Sequence, residues 1–143
     1  MDNPYYERLV NAAIRFVSFR PRSEHELREF LLKKPQSEDV EKVILRMREL
    51  GYADDEKFAS WWVEQRTDFK PKGNNYIKME LRAKGVPDAI ISSVLASRGS
   101  ESLVEAARRA IGRKRFTTPQ QFYNFLARRG FDADTISRVK YDI

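Results

Sequence analysis

The chain has no cysteine, one histidine, and only six glycines and six prolines among 143 residues. Without cysteine there are no disulfides and no thiolate metal sites. The single imidazole, His25, has no second histidine to share a metal and no neighbour in sequence that would tune a general base. It falls on the polar side of a helix, where a solvated side chain is expected. Scarce glycine and proline exclude a fibrous or low-complexity chain. No apolar run approaches the ~20 residues of a membrane span. The first residues, MDNPYYERLV, lack the charged-then-apolar order of a secretion signal. A soluble, cytoplasmic protein with no membrane contact is expected. There is also no glycine-rich phosphate loop and no Ser/His/Asp set at catalytic spacing. These absences predict a non-enzyme with no cofactor.

What is present is apolar periodicity and charge. Hydrophobic residues make up 41% and charged residues 34%, against a usual charged share of about a quarter. The net charge is +6, and it is uneven: residues 101–143 hold 9 bases and 5 acids, so +4 of the +6 lies in the last third. A basic balance points to an anionic partner.

Nearly every segment has helical period. Leu9, Ala12, Ala13, Phe16 and Val17 fall on one stripe, ending before Pro21. Ser23 and Glu26 form a capping box, after which Leu27, Phe30 and Leu31 make a buried stripe that Pro35 stops. Ser37 is the expected cap of a third helix, with Val40, Val43, Ile44, Met47 and Leu50 inward and Gly51 as a left-handed terminator. The cycle restarts at Asp54. Its first helix turns Phe58, Trp62 and Phe69 inward and breaks at Pro71 and Gly73. The second, from about Asn75 to Lys84, buries Ile77 and Leu81 and ends at Gly85. Pro87 starts the third at the first helical position, with Ile90, Ile91 and Val94 inside. A third cycle follows: Leu103, Ala106, Ala107 and Ile111; then Thr118 as cap, Pro119, Phe122, Phe125 and Leu126, ending at Gly130; then the helix of DADTISRV.

The segments LRAKGVPDAIISSV (81–94) and LARRGFDADTISRV (126–139) are near copies 45 residues apart. A looser copy lies 50 residues upstream, with Leu31 matching Leu81, Lys34 matching Lys84, and Pro35 in the place of Gly85. The expectation is an all-α protein of three tandem three-helix repeats, 1–52, 53–98 and 99–143. Such units stack into an elongated, curved rod with a continuous core between neighbours and a long face for a partner. A monomer is expected.

Three groups of residues invite functional readings. Asp54 and Asp55 lack a third carboxylate nearby, so capping is preferred to metal binding. Trp61 and Trp62 are about 100° apart on a helix and cannot both point at the centre of one core face. Inter-repeat core is expected for both, with one as an exposed anchor the alternative. The basic residues are the best partner-binding candidates. Arg108, Arg109, Arg113, Lys114 and Arg115 crowd a helix end beyond what the helix dipole favours. Arg128 and Arg129 add to them at the next helix end, with Phe116 and Tyr123 as stacking partners. Arg20, Arg22, Lys70 and Lys72 are further candidates.

Several of these landmarks, taken in order, resemble the RecX family, the bacterial regulators of the RecA recombinase. They are RSEHELREFLL with Ser23, Glu26 and Leu27; Gly51-Tyr52 followed by Asp54, Asp55 and Phe58; Leu81 with Lys84-Gly85; and Leu126 with Gly130. The likeness runs from about Ala12 to Val139. It implies tandem three-helix repeats and a non-enzymatic modulator. Such a modulator binds the RecA filament on single-stranded DNA, lies in its groove, and inhibits its ATPase, strand-exchange and coprotease activities. Some members also contact DNA directly. The chain departs from the family pattern at Pro71, Asn74 and Asn75, which surround Lys72-Gly73, and in a short N-terminal extension. Two other classes are consistent with the residues: a helical protein binding DNA directly through its basic third repeat, in the manner of a helix-turn-helix, and a helical scaffold for another partner.

Overall fold

A computed structural model describes residues 4–140; the outer ends of the first and third expected units, 1–3 and 141–143, lie outside the described residues. Among the described residues there are nine α-helices and no strand. They are α1 (Pro4–Phe19), α2 (Glu24–Leu32), α3 (Val40–Glu49), α4 (Asp55–Asp68), α5 (Asn74–Ala83), α6 (Asp88–Ala96), α7 (Ser100–Ile111), α8 (Pro119–Arg128) and α9 (Ala133–Arg138). None is long and apolar enough to cross a membrane.

The helices pack in threes: α1–α3, α4–α6 and α7–α9. Each trio closes around its own apolar cluster. Leu9, Leu27, Leu31, Ile44 and Met47 centre the first, Phe58, Ile77, Leu81 and Ile91 the second, and Ala106, Ala107, Leu126, Phe131 and Ile136 the third. The expected continuous core between repeats is therefore replaced by three separate ones. The reason lies in the joints, which are made of polar groups and backbone.

The middle helices, α2, α5 and α8, stand end to end. Gly73 N–H, at the start of α5, donates to the Arg129 carbonyl at the end of α8 at 2.8 Å. Asn75 N–H donates to the Gly130 carbonyl at 3.1 Å. At the other end of α5, the Lys84 carbonyl accepts from the Ser23 hydroxyl that caps α2, at 2.7 Å. That hydroxyl also accepts from Glu26 N–H at 3.1 Å, and the Glu26 carboxylate accepts from Ser23 N–H at 3.1 Å. Orphaned carbonyls at one helix end thus satisfy orphaned donors at the next, and the three helix dipoles run head to tail.

This contact requires a bare α-carbon at the joint. Gly85 and Gly130 have φ of +76° and +89°. A Cβ on Gly85 would overlap His25, and one on Gly130 would overlap the backbone of Tyr76. A Cβ on Gly73 would overlap the Gly130 carbonyl. The repeated Gly of LRAKG and LARRG is therefore both a helix terminator and a seat for the neighbouring repeat. His25 is less solvated than expected: its Cβ lies under Gly85, while its ring reaches Glu29 at 3.1 Å.

Side chains reinforce the joints. Between the first and second repeats, Asp55 accepts from Glu24 N–H at 2.9 Å. Glu26 pairs with Arg20 at 2.6 Å and with Lys84 at 3.4 Å. Arg20 also lies 5.5 Å from the Trp61 ring centroid. Within the second repeat, the buried Arg98 guanidinium donates to the Lys72 carbonyl, Asn74 Oδ1 and Thr67 Oγ1 at 3.0, 2.9 and 3.3 Å and so ties down the loop that carries Gly73 to the third repeat. Burial lowers Arg98 to about 10, which leaves it charged at neutral pH.

Four local expectations are corrected. Ser37 does not cap α3; a turn through Glu38 and Asp39 carries the chain in, and Ser37 supplies its carbonyl to Val40 N–H at 3.3 Å. Leu50 and Phe69 are 40% and 66% exposed rather than inward. Both sit at C-caps, where the helix ends: Phe69 is already extended, and Leu50, though its dihedrals are still helical, is followed at once by the left-handed Gly51. Pro87 is the N-cap of α6, one residue before the first helical position. Asp54 does cap α4, accepting from Glu56 and Lys57 N–H. Trp61 and Trp62 are both half-buried on the rim of the second core, and Trp62 donates to Glu80 at 3.2 Å.

Two predictions follow from the joints. Gly51 has φ +79° but open space around it, so Gly51→Ala is expected to cost only the left-handed penalty of about 1–2 kcal/mol. Gly130→Ala adds the clash with Tyr76 and should cost clearly more in urea denaturation. The second concerns pH. Arg48 and Arg28, bonded to Glu24, lower its carboxyl. Burial raises Glu26, but Arg20, Ser23 N–H and Lys84 outweigh it and the net is lowered. Stability from both glutamates is complete above the ordinary value of 4.5 and is lost as pH falls through their lowered folded values. Burial raises Asp55, so its protonation on acidification works in the opposite sense. Melting temperature should fall as the pH drops below the ordinary 4.5, and Glu26→Gln should lower it at neutral pH and flatten that dependence.

Candidate functional site

The structure sorts the basic residues into those used internally and those left facing water. Arg20 belongs to the first joint, as described. Arg22 donates to the Phe16 carbonyl at 3.2 Å and covers the Phe16 ring at 3.9 Å, so it holds the α1–α2 turn. Arg108 and Arg109 sit on the exposed face of α7 but share Glu105 at 3.7 and 3.5 Å. Arg109 also reaches Asp68 in the second repeat at 3.5 Å. Their charge is partly neutralised.

Arg113, Lys114 and Arg115 are exposed in the loop between α7 and α8. Their display follows from one apolar residue. Phe116 is 7% exposed and packs edge-on against Phe122 and Phe125, with centroids 5.6 and 5.1 Å away. Pinning Phe116 inward leaves the three preceding bases outward. Phe116 is therefore core and not the expected stacking partner, whereas Tyr123 is 41% exposed.

The aromatic ring among the cations is Phe125, which the helical stripe assigned only to the core. The Arg129 guanidinium lies 3.6 Å from its centroid and donates to its carbonyl at 3.0 Å. Lys114 Nζ lies 4.8 Å from the same ring. Lys114, Arg115, Arg128 and Arg129 line one recess with Phe125. Arg113, Lys114 and Arg115 line an adjoining one with Lys140, a residue that spacing did not single out. Neither recess has a carboxylate in its lining. Among the described residues, Arg113, Lys114, Arg115 and Arg128 have no ion-pair partner, unlike most arginines of the first two repeats.

The cationic surface continues across the second joint. Lys72 Nζ covers the Tyr76 ring at 4.3 Å. Burial, and then the nearby charge of Arg129, lowers its ammonium from the ordinary lysine value. Lys70 is exposed at φ +49° just before it. The structure thus brings together Lys72, Lys114, Arg115, Arg128 and Arg129 from two repeats, and leaves Arg20 and Arg22 apart on the first. Chemically this is a surface for multivalent anions. Arginine offers a planar fork to phosphate or carboxylate oxygens, and unpaired surface cations exchange their counterions at little cost.

Comparison with known proteins fits the three-helix units. The family model described as RecX, first three-helix domain, matches residues 10–47, and that for the second three-helix domain matches 54–95. The regulatory protein RecX of Prosthecochloris aestuarii is 33% identical over 97% of this chain and 95% of its own length. That of Bacillus subtilis is also 33% identical, over 89% of this chain but 52% of the relative; the chain spans about half the length of several such longer relatives. The crystal structure of RecX from Lactobacillus salivarius superposes with a TM-score of 0.76 at 23% identity, covering 92% of each chain, which shows a common fold. With both domain matches and a relative aligned along almost its whole length, the chain belongs to the RecX family.

Proposed function

We propose that this chain is a non-enzymatic regulator of the RecA recombinase that docks along the groove of the filament on single-stranded DNA and inhibits ATP hydrolysis, strand exchange and coprotease activity. The observation that carries this reading is the match to curated proteins named regulatory protein RecX along almost the entire chain. The end-to-end helices support it. Hydrogen bonds and close-packed glycines at both joints set three small bundles in one elongated row, a shape suited to contact with more than one protomer. A body that spans protomers opposes their relative motion and the entry of a second DNA. Polar contacts spread over such a surface give affinity that weakens with salt.

A second reading, direct DNA binding through the third repeat, is favoured by the unpaired cations at 113–115 and 128. A groove-reading helix is not what supports it: α9 has six residues, and its Arg138 is paired with Asp134 at 3.3 Å.

Single-stranded-DNA-dependent ATP hydrolysis by RecA, with this protein added substoichiometrically, tests the first reading. A fall in rate without matching affinity for bare strands is expected. An unchanged rate with tight binding to bare DNA would shift the assignment to the second reading. Charge reversal of Arg113, Lys114 and Arg115 to Glu should leave the helical circular dichroism intact, because all three are exposed. It should weaken inhibition under the first reading and abolish bare-strand binding under the second.

A further inference from the structure

The second joint and the unpaired cations share a residue. The Arg129 carbonyl accepts from Gly73 N–H at 2.8 Å, which aligns α8 on α5. Its guanidinium lies on the Phe125 ring at 3.6 Å and lines the recess with Lys114, Arg115 and Arg128. Lys72, on the other side of the joint, is close enough for the two charges to repel. Its own carbonyl is held by Arg98, a buried cation with no carboxylate against it and with a buried Nε that has no hydrogen-bond partner. The two joints differ in their electrostatics. At the first, Glu26 lies between Arg20 and Lys84 and compensates both. At the second, Lys72 and Arg129 repel, and Glu80 only partly offsets the cations around Lys72; among the described residues the ion pair that crosses this joint is the exposed Arg109–Asp68 contact at 3.5 Å.

From this asymmetry we infer that the phosphates of a single-stranded nucleic acid seat across the second joint, on Lys72, Arg128, Arg129 and the Lys114–Arg115 loop, and lock the third repeat onto the second. A phosphodiester strand fits the surface better than a single anion. The cations come from both sides of the joint, and they run past two recesses with no carboxylate in their lining. Each phosphate seated between Lys72 and Arg129 removes the repulsion that opposes alignment. Binding and alignment are then linked: a strand that prefers the aligned joint stabilises it by mass action. The first joint carries its own counter-charge and is not coupled to the strand. This deepens the second reading above and is independent of filament inhibition.

Amide hydrogen exchange on the full chain tests it, with a short oligothymidylate as the probe at low salt. The amides to follow are Gly73 and Asn75, whose acceptors are the Arg129 and Gly130 carbonyls. Glu24, whose amide donates to Asp55 at the first joint, is the internal reference. At an oligothymidylate concentration ten times its Kd, exchange at Gly73 and Asn75 should slow about tenfold, the limit for a ligand that binds only the aligned form. Glu24 should be unchanged. The protection should disappear as salt displaces the strand. Lys72→Ala combined with Arg128→Ala should remove both binding and protection, while the Ile77 amide within α5 keeps its wild-type rate and shows that the fold is intact. Strand binding without a change at Gly73 and Asn75, equal slowing at Glu24, or no strand binding would overturn the inference. Filament inhibition assayed in parallel separates the readings. Inhibition without joint protection removes this inference alone, and protection without inhibition removes only the filament reading.

Discussion

The structure depends on one contact made twice: the C-terminus of a helix set against the N-terminus of another in the preceding repeat. α8 abuts α5 and α5 abuts α2, so the chain's third repeat is tied to its second, and its second to its first, through their middle helices. The contact exchanges hydrogen bonds that each helix end would otherwise seek from water. It tolerates no side chain at the approach, which is why glycine stands there. Repeats joined this way do not need to share an apolar core, and each closes its own.

The ends of the row show what the contact requires. At the far end of α2 no backbone hydrogen bond arrives from another repeat among the described residues, and the corresponding position is Pro35, with Gln36 taking the positive φ of +56°. At the free start of α8, Thr118 accepts from Gln121 N–H and the Gln121 side chain accepts from Thr117. The helix closes on itself where no neighbour supplies carbonyls. The looser first copy of the repeated segment is thus the copy whose helix, among the described residues, meets no other helix start at its C-terminus.

The same geometry sorts the charges. In the first two repeats, arginines are occupied in pairs and joints: Arg20 with Glu26, Arg28 with Glu24 and Glu41, and Arg66 with Glu80 at 2.5 Å. In the third repeat, carboxylates are few and lie elsewhere, so its loop and helix-end cations remain unpaired and face water. A surface of this kind confers little stability and binds multivalent anions readily. The end-to-end row contributes reach, and the unpaired cations contribute charge.

Much of the architecture was legible in the sequence. The 3.6-residue stripes found every helix, the capping box at Ser23–Glu26 was read correctly, and the 45-residue copy marked the repeats. Stripe reasoning failed at Leu50 and Phe69, where the helix had already ended, and at Ser37, where a turn replaced a cap. Among the bases that spacing singled out, the structure gathers 114, 115, 128 and 129 in one recess and engages Arg20 and Arg22 internally, and it adds Phe125 to that lining and Lys140 to the adjoining one. Local pattern determines which residues become helical and which face turns inward, because those properties depend on neighbours three and four positions away. Which cation finds a carboxylate, and which glycine seats a neighbouring helix, depends on residues 24 to 61 positions apart, as in the Arg48–Glu24 and Ser23–Lys84 contacts. Only the packed chain brings those together, and so only the tertiary structure decided where the free charge lies.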